Sequence, residues 1–319
     1  MRYNKPALSI DDQVQRLRER GMAFSDDQQA KVSHYLTHIG YYRLSAYWLP
    51  FEQPPPSGQP RNHQFRPGTT FEAVLSLYIF DLRLRLLMME ALDRIEIAVR
   101  TSWATALAMQ HGPHAHLNPD LFECAKKHEK DIAKMQNDLA KSHETFVDHY
   151  RRHYQEPPLP PIWAVVETLS FGSLSYWFQA TKTSDAKKAV QRNLAMPKIK
   201  VTEKVLHALT TVRNVCAHHG RLWNRHFTFK LPRIDRLGMQ ITDHPTAGKG
   251  TNPQQHPSPK LYNYLLVIAH MMNHINPGSS WKTRLQSLVN TRSEQELKAM
   301  GFPCDWESHP VWDLVKAPR

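Results

Sequence analysis

Cysteine is scarce in this chain: Cys124, Cys216 and Cys304 stand far apart and form no CxxC pair. That excludes a disulfide framework and fits a reducing compartment. Glycine is sparse as well, 12 in 319 residues, and long stretches lack both glycine and proline. Such stretches favour helices over a sheet-rich fold, and no alternating apolar pattern is long enough to stand as a strand. No run of about 18 uncharged apolar residues exists, so no membrane-spanning helix is expected. The opening MRYNKPALSIDDQ lacks the apolar centre of a secretory leader, and the expectation is a cytoplasmic protein. A glycine-rich phosphate loop and a nucleophile elbow are both missing. So is any excess of acid. The chain has 41 Lys and Arg against 29 Asp and Glu, a net charge of +12 with its 19 histidines neutral. A surplus of that size favours polyanionic partners, without separating RNA from DNA.

What is present is helical periodicity. Hydrophobic residues make up 41% of the chain, enough for a sizeable core. Two short helices open it, with Ser9 and Ser25 as N-caps, Gln28 completing a capping box with Ser25, and Gly21 and Gly40 at C-terminal caps. GYYRLSAYWLPF (40–51) reads as an aromatic-rich connection and EQPPPSGQPRNHQ (52–64) as an exposed loop. From Thr70 to His111 there is no glycine or proline, and Phe71, Val74, Leu75, Tyr78, Ile79 and Leu82 follow the i, i+3, i+4 rule, which reads as one long helix or two nearly continuous ones. Further helical patterns cover 125–154, 162–179, 184–194, 202–219 and 259–276, and two short helices follow. DHPTAGKGTNPQQHPSP (243–259) is polar, aperiodic and expected to be mobile. The reading is an all-α bundle: an N-terminal helical, aromatic-rich region (1–69), a main helical domain (70–290) and a tail (291–319).

The chemistry gathers in RNVCAHHGRLWNR (213–225), where three arginines, two asparagines, two adjacent histidines and a cysteine follow an amphipathic helix that Gly220 is expected to stop. Asn214 and His218 are four residues apart and share a helical face. Arg213 and His218 are five apart, about 140° round the axis, and meet in one cleft only if the last turn unwinds or the arginine bends. Histidine titrates near neutral pH and serves as general acid or base. Arginine offers a planar fork of donors to phosphate oxygens. These are the parts for cleaving RNA without a metal. The 2′-hydroxyl attacks the adjacent phosphate, histidine moves protons, and arginine steadies the transition state. The bland alternative is a solvated basic helix end with Asn214 capping a neighbour.

Several segments, in order, carry a resemblance: KPALSIDDQVQRLRERGM, HYLTHIGYYRLSAYWLPF, FRPGTTFEAVLSLYIFDLRLRLLMMEALDRIEIAVRT, LPPIWAVVETLSFGSLS and LTTVRNVCAHHGRLWNR. From the N-terminus to about residue 290 the chain resembles the Abi-like abortive-infection family, the AbiD/AbiF type of bacterial phage-defence proteins. That family in turn resembles the HEPN superfamily. These are all-helical proteins whose Arg-x(4–6)-His motif marks metal-independent endoribonucleases that usually work as dimers, and they include the nuclease domains of an RNA-guided CRISPR effector. The resemblance implies a HEPN-like bundle with extra N-terminal helices. It places the motif at Arg213 and His218, with Asn214 in the polar position after the arginine. It also implies a homodimer that sets two copies of the motif across a two-fold axis, RNA as substrate, toxicity to the host cell, and phage defence.

Around the motif, His219, Arg221, Asn224 and Arg225 either track an RNA backbone or stabilise a dimer, and Trp223 reads first as a hydrophobic plug and second as a ring to stack a base. Glu96 and Arg100 form an i, i+4 pair, read first as an intrahelical salt bridge and second as cleft lining. Glu167, a carboxylate among apolar residues, is expected to have a buried partner, and Arg213 is one candidate. Tyr41, Tyr42, Arg43, Tyr47 and Trp48 interleave aromatics with arginine as single-strand RNA binders do, though core packing is the plainer reading. No metal site is expected. Cys216, His218 and His219 are too close together for a spaced ligand pair, and His207 and His226 supply no second one. The expectation is an endoribonuclease without cofactor. The alternative is a non-catalytic protein that holds a structured non-coding RNA, and a third is a helical scaffold for protein partners.

Overall fold

The computed structural model describes residues 6–55, 57–182, 185–244 and 254–313. By compactness the chain divides into a unit up to Leu84 and a unit from Arg85 onward. The division falls inside one continuous helix.

The first unit begins with α1 (Ile10–Glu19), opened by Ser9. Its hydroxyl accepts the Asp12 N–H at 3.1 Å while the Asp12 carboxylate accepts the Ser9 N–H at 3.2 Å. This reciprocal arrangement satisfies two donors that a helix start otherwise leaves open. The box expected between Ser25 and Gln28 is present too, and leads through a short 3₁₀ turn into α2 (Gln29–Ile39). Gly40, at φ 90°, then turns the chain straight into α3 (Tyr41–Trp48). The stretch expected as a connection is therefore a helix. Leu44, Tyr47 and Trp48 are its buried positions, an i, i+3, i+4 set that the neighbouring aromatics obscure in the sequence. Among its described residues the loop expected after it is exposed except at Glu52, whose side chain is 4% exposed and ion-paired to Arg20 at 2.6 Å and to Arg61.

α4 (Phe71–His111) starts in the first unit and ends in the second. The second unit continues with α5 (Ala125–Ala140), α6 (Thr145–His153), α7 (Ile162–Thr168), α8 (Phe171–Ala180), α9 (Asp185–Asn193) and α10 (Ile199–Ala217), followed by α11 (Leu261–Ile275), α12 (Trp281–Val289) and α13 (Glu294–Ala299). Two patterns expected as single helices are each broken. Residues 141–144 separate α5 from α6, and Ser170 restarts the chain as N-cap of α8 by accepting the Ser173 N–H at 3.2 Å. α10 packs on α8 and α9. Glu203 of α10 joins Lys187 of α9 at 2.7 Å, both nearly buried. α11 is buried at every position from Leu261 to Ala269, the all-round apolar pattern of a helix enclosed by others. Around it gather Met300, Trp306, Val311 and Trp312, all buried. Residues 291–313, for which the sequence offers no reading, thus lend side chains to the core of this unit, though most of the segment is exposed or half-buried.

The all-α expectation holds with one correction. Ile241–His244 (β1) and Gln254–Pro257 (β2) pair antiparallel, with Thr242 opposite His256. They frame part of the stretch expected to be mobile, and the rest of it, 245–253, lies outside the described residues. No helix among the described residues is long and apolar enough to cross a membrane.

Candidate functional site

α10 ends in an unusual way. Leu206, Leu209, Val212 and Cys216 are buried and hold the helix against the core, so its opposite face is turned outward. Asn214 and His218 lie on that outward face, both exposed, and Arg213 is half-buried at its edge. Regular helix stops at Ala217, two residues before the expected end. His218 is the C-cap, with φ −90° and ψ 18°, and its N–H still donates to the Asn214 carbonyl at 3.0 Å. The residue that turns the chain is His219, in the left-handed region at φ 56°. Its N–H donates to the Cys216 carbonyl at 3.0 Å, and the Gly220 N–H to the Val215 carbonyl at 2.7 Å. These are the two bonds of a Schellman motif, which normally puts glycine where His219 stands. Gly220 has a different reason to be glycine: a Cβ there would sit 3.1 Å from both the Val215 carbonyl oxygen and its Cγ1.

A histidine in the left-handed region costs on the order of 1 kcal/mol. Asn224, at φ 48°, is in the same region. Two of the four positive-φ residues other than glycine among the described residues therefore lie within the thirteen-residue stretch. Burial anchors it. Leu222 and Trp223 are buried, which makes Trp223 the plug expected of it, and the Arg221 guanidinium lies 5.9 Å from the Trp223 ring centre. Arg225 donates to the Arg221 carbonyl at 3.2 Å. Asn224 is held by its side chain, whose Oδ1 accepts from Lys260 Nζ at 2.7 Å. The same ammonium donates to the Ala299 carbonyl at 2.8 Å, at the end of α13. Burial lowers the Lys260 pKa, and burial first, then the Lys260 charge, lowers that of His226. Gly301, at φ 89°, packs against Lys260: a Cβ at Gly301 would be 2.6 Å from the Lys260 Cβ. Nothing local in the sequence marks Lys260 or Gly301 as supports of this stretch, since they meet it only through the fold.

The other residues singled out from the sequence divide. Arg213, Asn214, His218 and His219 gather at one helix end. Among the described residues neither the Arg213 guanidinium nor the His218 ring has a hydrogen bond or ion pair, so both are available to a ligand. Arg100 is buried on α4, paired with Glu96 and donating to the Val166 carbonyl and, at 2.6 Å, to the Leu169 carbonyl. That is the salt-bridge reading with an addition, because the guanidinium also closes the C-terminal end of α7. Glu167 is a correction. It is exposed rather than buried and makes no ion pair with Arg213. α7 buries Ile162, Val165 and Val166 on one side, which turns Trp163 and Glu167 to solvent on the other. No group of three or more His, Cys, Asp or Glu side chains among the described residues is placed to hold a metal.

These features define a class: an all-α protein of high positive charge with an arginine, an asparagine and a histidine presented at a strained helix end. The chain belongs to the Abi-like protein family, whose model matches residues 34–224 and so includes α10 and the stretch as far as Asn224. Membership associates it with abortive infection, a form of phage defence. No curated protein and no solved structure matches it.

Proposed function

We propose that the protein is a metal-independent endoribonuclease of HEPN type, with its site at the end of α10. The observation that carries this reading is the uncommitted pair of Arg213 and His218, set beside Asn214 by a helix end whose backbone is strained. Left-handed residues other than glycine persist where the surroundings over-determine them, and they gather at functional sites. In the reaction the 2′-hydroxyl of RNA attacks its own phosphate and the 5′-oxygen of the next nucleotide leaves. His218 takes or returns a proton, and Arg213 holds the non-bridging oxygens as their charge grows. Asn214, one helical turn before His218, orients the imidazole or the phosphate. The products are a 2′,3′-cyclic phosphate and a 5′-hydroxyl, and the reaction uses no metal or nucleotide cofactor. A second copy of the chain supplies a second motif across a two-fold axis, so the working form is a homodimer. The net charge of +12 draws RNA to either copy.

The test is cleavage of total and synthetic RNA in EDTA by wild type, Arg213→Ala and His218→Ala, with cyclic-phosphate ends scored. Wild type should cut, and both variants should lose on the order of a hundredfold or more, as expected when a proton carrier or a charge-stabilising group is removed. Their RNA affinity should change far less. Tight binding without cutting by all three proteins would instead identify a protein that holds a non-coding RNA. Weak, salt-insensitive binding would identify a scaffold for other proteins, because phosphate contacts give a steep salt slope.

A further inference from the structure

The first unit contains a groove of about 810 Å³ that the α10 site does not use. Its floor is rigid. The Arg20 guanidinium lies 5.4 Å from the Trp48 ring centre and 4.6 Å from that of Phe65. It donates to Glu52 at 2.6 Å, to the Tyr41 hydroxyl at 2.9 Å and to the His63 carbonyl at 2.6 Å. Arg61 pairs with the same Glu52, so two guanidiniums share one carboxylate; with Arg16 and the exposed Glu19 counted, the lining carries three cations against two carboxylates and keeps one positive charge. One wall is the loop through His63, itself left-handed at φ 61°. There the Asn62 Oδ1 accepts the Gln64 N–H at 3.0 Å, which leaves the amide donors of Asn62 for a ligand. The other wall carries Arg16, exposed, and Tyr42, 91% exposed. A tyrosine that open, on a helix whose remaining large aromatics are packed, presents a bare ring face beside fixed cations and amide edges.

We propose that this groove binds single-stranded nucleic acid, with a base stacked on Tyr42 and the phosphodiester backbone running past Arg16 and Arg61. The chemistry follows from the parts. Every base offers a π-face to an exposed aromatic ring, and guanidiniums track phosphates. The volume falls in the range of roughly 300–1,000 Å³ typical of ligand sites. A duplex is excluded as ligand because its bases are already stacked on one another. A peptide is the weaker fit, since the floor is a charged cluster with excess cation rather than an apolar pocket. The inference stands whether or not the α10 site cuts RNA.

The test is fluorescence anisotropy on the full chain in a His218→Ala background, which keeps the probes uncut if the α10 site is catalytic, and every affinity is compared within that background. The probes are an unstructured RNA oligomer, DNA of the same sequence and the corresponding RNA duplex. Tyr42→Ala should weaken binding of the single strands by about 5- to 100-fold, the worth of one stacked base, and leave duplex binding and the melting temperature unchanged. Tyr42→Phe should bind as wild type. Arg16→Ala, which removes a side chain with no hydrogen bond or ion pair among the described residues, should lower the salt slope by about 0.7. A loss shared by RNA and DNA supports a groove for any single strand, and a loss confined to RNA makes it RNA-specific. Unchanged single-strand affinity in Tyr42→Ala overturns the proposal, as does an equal loss for single strand and duplex. A shift in self-association with unaltered RNA binding also overturns it and marks the face as a protein contact.

Discussion

Acidification should destabilise the second unit through one side chain, His116. It sits in the 3₁₀ turn Ala115–Leu117 that follows α4, fully buried, and neither ring nitrogen has a hydrogen-bond partner. Burial first, then the charges of His114 and His128, pushes its pKa down to about 3. The sign follows from linkage. Folding keeps the imidazole neutral while the unfolded chain protonates it near pH 6.5, so below that pH the unfolded state binds the extra proton. The stability is present above about pH 6.5 and is lost as the pH falls toward about 3. At about pH 5 the loss is 1.5 pH units at about 1.4 kcal/mol each, or about 2 kcal/mol. The perturbation is His116→Leu, which fills most of the same volume, leaves no group to protonate and removes an unsatisfied buried donor. Thermal melts of wild type and variant at about pH 7.5 and pH 5 should differ in their pH dependence by about 2 kcal/mol, roughly 4–8 °C for a unit of this size. Equal pH dependence in the two proteins would refute the reasoning. It would mean that the imidazole can be protonated in place, through a water or a shift of its neighbours.

Two further outcomes follow from buried contacts. Glu203→Gln should cost about 3–5 kcal/mol in a melt, because it strands the Lys187 ammonium, which is buried against the Gln179 carbonyl at 2.9 Å; replacing both partners with apolar residues should recover most of that. Gly301→Ala should cost about 2–3 kcal/mol, since the position is left-handed and its new Cβ meets the Lys260 Cβ at 2.6 Å. Limited proteolysis should then find 219–226 easier to cut, because Lys260 no longer holds Asn224 in place.

Most of the helices are legible in the sequence because an apolar period runs between glycine or proline boundaries. α4 keeps the bounds of the glycine- and proline-free stretch to within a residue, and of the one or two helices that stretch allows it is one, since nothing between interrupts the apolar spacing. Legibility fails where one signal masks another. α3 was hidden by aromatics on every face, although only Leu44, Tyr47 and Trp48 are buried. The break between α7 and α8 rests on one serine hydroxyl, and a Ser-x-x-Ser start is easily passed over within an otherwise helical pattern. Glu167 misled because apolar neighbours suggest burial, yet a seven-residue helix has room for only one buried face. The hairpin of β1 and β2 has no apolar alternation to announce it. At the candidate site, the facing of Asn214 and His218 could be read from their spacing. The supports of Asn224 could not, because Lys260 and the Ala299 carbonyl lie 36 and 75 positions away along the chain.

The strain at His219 ties the fold to the proposed chemistry. A helix end needs a left-handed residue to bring the Gly220 N–H onto the Val215 carbonyl, and glycine would serve there at no steric cost. The chain instead places its glycine one position later, where the close approach to Val215 leaves no room for a Cβ, and keeps histidine in the strained position. Stability alone would favour glycine at both positions. The arrangement makes sense if the imidazole at 219 or the fixed path it imposes on His218 is worth more than the strain. The buried pair Leu222 and Trp223 and the Lys260 contact to Asn224 fix the chain just beyond, so the backbone around His218 is held from both sides. Preorganisation of this kind is what a phosphodiester transition state requires of its proton carrier, because a group that must first find its place contributes little when the charge develops.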